Sequence, residues 1–214
     1  MRSAAMNASL LVLAEAALLA VWAPLLGLFT AMRVWPGQTA GRSPAVELVS
    51  GAWRLGRPLL VRISLITGLS AAAVVTLRAT MVPGVWLQSH AILWSAALAL
   101  AAFGALCGRM SREPLDAAAC AVGLALLTAF ALFAAGPVLD SIPAGLLHAA
   151  LAANPIVATA AAASIDIFRM DLLYQLSPLA HRQVDYPSFT AAFGAYVSVA
   201  VVLLFLSARQ VTSR

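Results

Sequence analysis

The chain has 214 residues, 63% of them hydrophobic and only 10% charged, with a mean hydropathy of +0.95. Soluble domains run roughly 45–50% apolar and about 25% charged, and a core of this size cannot hide so much apolar surface; a soluble globular enzyme, a disordered tail and a nucleic-acid-binding module are excluded. Thirteen basic residues against eight acidic ones give +5, and all thirteen are Arg, so the Lys of a phosphate-binding P-loop is missing and ATP hydrolysis by that route is excluded.

What remains is an all-α polytopic integral membrane protein. A spanning helix needs roughly 20 apolar residues, and six segments qualify. They run from Ser9 to Thr30, Leu59 to Met81, Ser89 to Gly108, Leu115 to Leu139, Ile142 to Ile165, and Phe189 to Ser207. The first is too long for a signal-peptide core and is interrupted by Glu15, so it reads as a retained span. The longest polar stretches are Arg33 to Arg57 and Asp166 to Pro187. Within the former, Val46, Val49 and Trp53 recur near helical spacing with Glu47, Arg54 and Arg57 off that face. Residues 43–58 are therefore expected as an amphipathic helix on the cytoplasmic membrane surface.

Loop charges set the orientation. Arg33, Arg42, Arg54, Arg57 and Arg62 stand against the single acid Glu47, which places this connection in the cytoplasm. Arg109 and Arg112, and then Arg209 and Arg214, return the chain there, whereas the uncharged 82–88 turn and Asp140 fit the outside. Three segments then lie between two cytoplasmic points where only two crossings fit. The fifth is the natural exception, because Pro143 opens it and Asn154-Pro155 cuts it. Two half-helices of about ten residues each reach about 15 Å, half of a bilayer core. A re-entrant hairpin over 142–165 and an external loop over 166–187 are the expectation. Ser177-Pro178 and Tyr186-Pro187 suggest that this loop is ordered.

Few side chains suggest chemistry. Glu15 lies inside a span; it either meets a proton or substrate or, the preferred reading, reaches the outer interface and pairs with an Arg such as Arg78. Arg62 and Arg78 are expected to snorkel to opposite headgroup layers. His90, His148 and His181 have no second ligand at helical spacing, and Cys107 and Cys120 form no metal or redox motif, so they read as interfacial histidines and buried small residues. No metal or cofactor is expected, and the chain is not expected to be an enzyme. Gly104 and Gly108 form a small-xxx-small pair, read as packing within the chain rather than a dimer seam. Ser111 to Asp116 reads as a helix start, with Pro114 in the first turn and Glu113 and Asp116 at the positive end.

Three features resemble the membrane subunit of a type-2 ABC exporter. They are the amphipathic stretch of 43–57 before a span, the tight turn from Gly104 to Glu113, and the series Ile142-Pro143, Asn154-Pro155 and Asp166 to Arg169. The resemblance covers residue 43 to the end. It departs from the family in one missing leading span, in Ala158 and Thr159 where a Tyr is usual, and in the long polar 166–187 stretch. It implies a permease in the cell (inner) membrane, working with a cytosolic ATP-binding subunit and a second permease copy or related membrane subunit. The contact surface for the ATPase would be Glu47, Arg54, Arg57, Arg109, Arg112 and Glu113. Pro143, Asn154, Pro155 and Arg169 would shape the re-entrant element. The alternative of another class is a non-transporting anchor or assembly subunit of a larger complex, respiratory or photosynthetic for example.

Overall fold

The computed structural model describes residues 2–34, 43–76, 82–134, 141–169 and 185–212. Arg42, Arg78, Asp140, Ser177, Pro178, His181 and Arg214, and the side chain of Arg169, lie outside the described residues. Among the described residues seven α-helices follow in order: α1 Arg2–Arg33, α2 Pro44–Thr76, α3 Pro83–Met110, α4 Pro114–Ala134, α5 Ala144–Ala153, α6 Pro155–Ala162 and α7 Phe189–Thr212. A 3-10 turn, Ile167–Arg169, follows α6. Helices α1, α2, α3, α4 and α7 each hold a stretch long and apolar enough to cross a bilayer. The fold class is thus an all-α, multi-pass membrane bundle.

Local signals explain the boundaries. Val82 is extended and Pro83 opens α3, where a missing N–H costs nothing. Its end at Met110 is a sharp one, because Ser111 is extended. Glu113 then supplies the first carbonyl of α4, taking the Ala117 N–H at 3.1 Å, with Asp116 in the first turn. The helix start expected at Ser111 to Asp116 is therefore present. Ser188 opens α7, its hydroxyl accepting the Ala191 N–H at 3.3 Å.

One expectation is corrected here. Residues 43–58 are not a separate surface helix; they are the first part of α2, which runs without a break through Pro58. Pro58 removes one backbone donor, and such prolines are tolerated in membrane helices. The 33 residues of α2 rise about 50 Å, roughly 20 Å more than a hydrocarbon core needs. The polar first turns are the excess.

Helix directions follow from the contacts. Gly104 of α3 sits against Pro24 of α1, and Gly108 against Leu28, so α1 and α3 run the same way. Along α2, Arg62 meets Thr30 and Ser70 meets Glu15, so α2 runs opposite to α1. Gly51 and Gly56 of α2 approach Ala208 and Leu204 of α7, so α7 runs with α1 and α3. Helix α4 starts beside the end of α3, where Leu28, Cys107, Ala117 and Ala121 form a buried cluster, and returns antiparallel. Hence α4 ends, and α7 begins, at the same end of the bundle. Arg33, Arg109, Arg112 and Arg209 gather at the other, basic end.

The core lies along α1 and α3. Gly27 is in direct contact with the Ala101 backbone, and a Cβ there would collide with the Ala101 carbonyl; one at Gly104 would collide with that of Pro24. The small pair Gly104 and Gly108 thus serves packing inside the chain, with Gly27 as its partner on α1. Such close approach is how helices adhere where lipid is as apolar as the side chains.

Candidate functional site

The segment between α4 and α7 holds the most specific geometry in the molecule. Helices α5 and α6 meet at an angle of 86°. This sharp elbow is the broken element in the 142–165 stretch where a re-entrant hairpin is expected. Among the described residues α4 ends and α7 begins on one side of the bundle, and the elbow lies between them in the chain.

Asn154 makes the corner. Pro155 pushes it into an extended conformation, φ −83° and ψ 114°, and its side chain then serves both neighbours. Its Oδ1 accepts the Ile156 and Val157 N–H groups at 3.0 Å each, capping α6. Its Nδ2 donates to the carbonyls of Thr128 and Ala129 on α4 at 3.0 and 2.8 Å. The residue is 1% exposed, so every polar valence of the buried amide is filled within the protein. Pro155 is buried at the first position of α6, whereas Pro143 is an exposed cap of α5 whose carbonyl accepts the Leu146 and Leu147 N–H groups. Helix α6 ends where Ser164 takes a positive φ of 58° and the Ile165 N–H reaches back to the Ala160 carbonyl at 2.8 Å, a left-handed cap that Gly usually provides.

The two ends of the 166–187 stretch are pinned together. The Tyr186 hydroxyl donates to Asp166 Oδ1 at 2.6 Å. Phe168 is fully buried, with the Phe133 ring of α4 at 5.9 Å and the Tyr186 ring at 6.3 Å between centroids. His148 of α5 sits 3.3 Å from the Asp185 carbonyl. Elbow, 3-10 turn and α7 start are thus one assembly at the end opposite Arg33, Arg109, Arg112 and Arg209. Arg169 closes the 3-10 turn within it.

At the basic end the six expected contact residues separate. Arg112 and Glu113 are exposed on the α3–α4 turn, and Arg54 and Arg57 are exposed on α2. Glu47 is half-buried in the first turn of α2. Arg109 is different: its guanidinium donates to the Val34 carbonyl at 2.6 Å and ties the end of α3 to the end of α1. It is a strap within the bundle. Arg54, Arg57 and Arg62 line a groove of about 520 Å³ together with Val34, Trp53, Pro58 and Val61. Arg62 also donates to Thr30 Oγ1 at 2.8 Å, so it is held inside the bundle rather than only reaching for headgroups.

The structure also assembles a polar group that no local pattern announces. Glu15 of α1 accepts a hydrogen bond from the Ser70 hydroxyl of α2. Its other oxygen faces His90 Nε2 of α3 at 3.7 Å. The expected pairing with Arg78 lies outside the described residues; the partners observed are Ser70 and His90, which stand 55 and 75 positions away and leave no spacing to read. His90 is packed inside the bundle, 7% exposed: the Trp86 carbonyl bonds its Nδ1 and the Trp86 ring lies 4.9 Å from its own. Cys107 is buried as expected, but Cys120 is exposed on the outside of α4. Among the described residues no group of three metal-binding side chains comes together.

The described residues form a helical multi-pass membrane bundle with a sharply bent helix pair before the last long helix. Comparison of the chain with protein-family models, curated proteins and solved structures finds no match.

Proposed function

We propose that the chain is the permease subunit of an ABC-type export complex in the cell membrane, working with a separate ATP-hydrolysing subunit. The observation that supports this reading best is the elbow. A re-entrant element with an Asn-Pro corner, placed between the fourth span and the last and opening away from the arginines, has the form expected of the outer gate of such a permease. The basic end would then face the cytoplasm and receive the ATPase through Glu47, Arg54, Arg57, Arg112 and Glu113, with Arg109 positioning the turn. Binding and hydrolysis of ATP by the partner would shift the bundle between two states through contacts that differ between them.

A second reading, a non-transporting anchor of a larger membrane complex, draws on the interior. The buried hydroxyls of Thr67, Ser95 and Ser207 bond carbonyls of their own helices, at 2.8, 3.0 and 2.7 Å, so these three are not open to a substrate. One experiment separates the two. The tagged chain is purified from its own membranes in mild detergent and the co-purifying proteins are identified. An ATPase with a P-loop, recovered in stoichiometric amount and lost from the Arg112→Ala/Glu113→Ala variant, supports export. Recovery of redox subunits without an ATPase overturns it.

A further inference from the structure

Glu15, Ser70 and His90 bring one polar side chain each from α1, α2 and α3 to a common point, and their hydrogen atoms can be counted. His90 Nδ1 lies 2.9 Å from the Trp86 carbonyl oxygen. A carbonyl only accepts, so Nδ1 carries a hydrogen, and in a neutral imidazole Nε2 is then a bare acceptor. Among the described residues this Nε2 is buried with no hydrogen-bond partner, and it faces Glu15 Oε2 at 3.7 Å. An ionised carboxylate is also an acceptor only. Ser70 does not relieve the conflict, because its hydroxyl donates to the other oxygen, Oε1. Two lone pairs turned toward each other in a buried site is the arrangement that folded proteins avoid.

One proton resolves it. Placed on Glu15 it turns the facing oxygen into a donor, which a closer approach by about 0.5 Å brings within hydrogen-bond reach of Nε2; placed on Nε2 it makes an imidazolium opposite a carboxylate. Both forms are neutral overall, which suits an apolar surrounding where a lone charge is costly. We infer that Glu15 and His90 form a proton-binding site that holds one shared proton and joins three spans through it. The ligand is the proton itself, and Ser70 positions the carboxyl group that receives it. The site belongs to the half of the bundle away from the arginines. Glu15 stands near the start of the Leu11–Arg33 span, about 27 Å along the helix from Arg33 at 1.5 Å per residue. It is a site distinct from the elbow and from the basic groove, and it stands or falls whether or not an ATPase partner exists.

Two substitutions on the full-length chain in lipid nanodiscs test the inference at neutral pH. In Glu15→Gln the amide oxygen still accepts from Ser70 and the amide NH₂ supplies the hydrogen to Nε2. This variant mimics the protonated pair and is expected to melt within about 2 °C of the parent, whereas Glu15→Ala is expected to lose roughly 4–8 °C. If Glu15→Gln falls as far as Glu15→Ala, or rises clearly above the parent because an added donor relieves a real repulsion, no shared proton was there. Nitrogen-15 NMR of the His90 ring decides the question even if a variant fails to fold. In the parent protein both ring nitrogens are expected to be protonated or hydrogen-bonded; an Nε2 signal typical of a bare acceptor overturns the inference.

Discussion

The α1–α3 seam and the elbow at Asn154 are both buried in apolar surroundings, yet they are built in opposite ways. At the seam, specificity comes from side chains that are missing: Gly27 and Gly104 let backbone lie on backbone. At the elbow it comes from one side chain that does everything, with the Asn154 amide filling two orphan donors of α6 and using two carbonyls of α4. The difference follows from the solvent. Lipid offers little hydrophobic gain for choosing one apolar face over another, so close packing and satisfied polar groups must choose. A straight helix satisfies its own backbone and needs only shape. A broken one exposes donors and acceptors and needs a polar residue at the break.

That contrast can be broken at either side. The largest effect is expected at the seam. Gly27→Leu forces a side chain against the Ala101 backbone, which cannot move aside as a flexible side chain could. The loss should exceed about 3 kcal/mol and appear as a failure to recover folded protein after extraction. Gly68 is the control, since a Cβ there meets nothing within 4 Å; Gly68→Leu should extract and melt as the parent does. A seam variant that behaves like the control would remove the packing argument.

The elbow is expected to respond less, and locally. Asn154→Ala leaves the Ile156 and Val157 donors without their cap, at a cost of about 2–4 kcal/mol. The predicted signature is faster hydrogen exchange in residues 150–160, with α1 and α3 unchanged, measured by mass spectrometry on the intact protein. Uniformly raised exchange across the bundle would mean that the corner is not a local device.

Much of this architecture was legible in the sequence because its signals are local. Runs of apolar residues marked the five long helices, Pro114 with Glu113 marked the start of α4, and Asn154-Pro155 marked the corner. The count of crossings against arginines also pointed to an element that turns back. Other features left no local trace. Pro58 reads as a boundary, but α2 absorbs it. The end of α6 carries Ser164 where Gly would have signalled a left-handed cap. The right-angled form of the elbow depends on two α4 carbonyls, and any residue would have provided those. Glu15 was visible as an ionisable group in a span, but Ser70 and His90 become its partners only when three helices pack. In the sequence Arg109 reads as a surface residue, because its acceptor is a backbone oxygen, that of Val34, which sequence does not single out.

The central claim is that the chain between α4 and α7 begins and ends on one side. Single cysteines at Ser141 and Ser188, both exposed, placed in a variant lacking Cys107 and Cys120, test it most directly with a membrane-impermeant thiol reagent on oriented membranes. Both positions should react from the same side, and a cysteine at Ser43 only from the opposite one. Reaction of positions 141 and 188 from opposite sides would make the elbow a crossing segment and contradict the account.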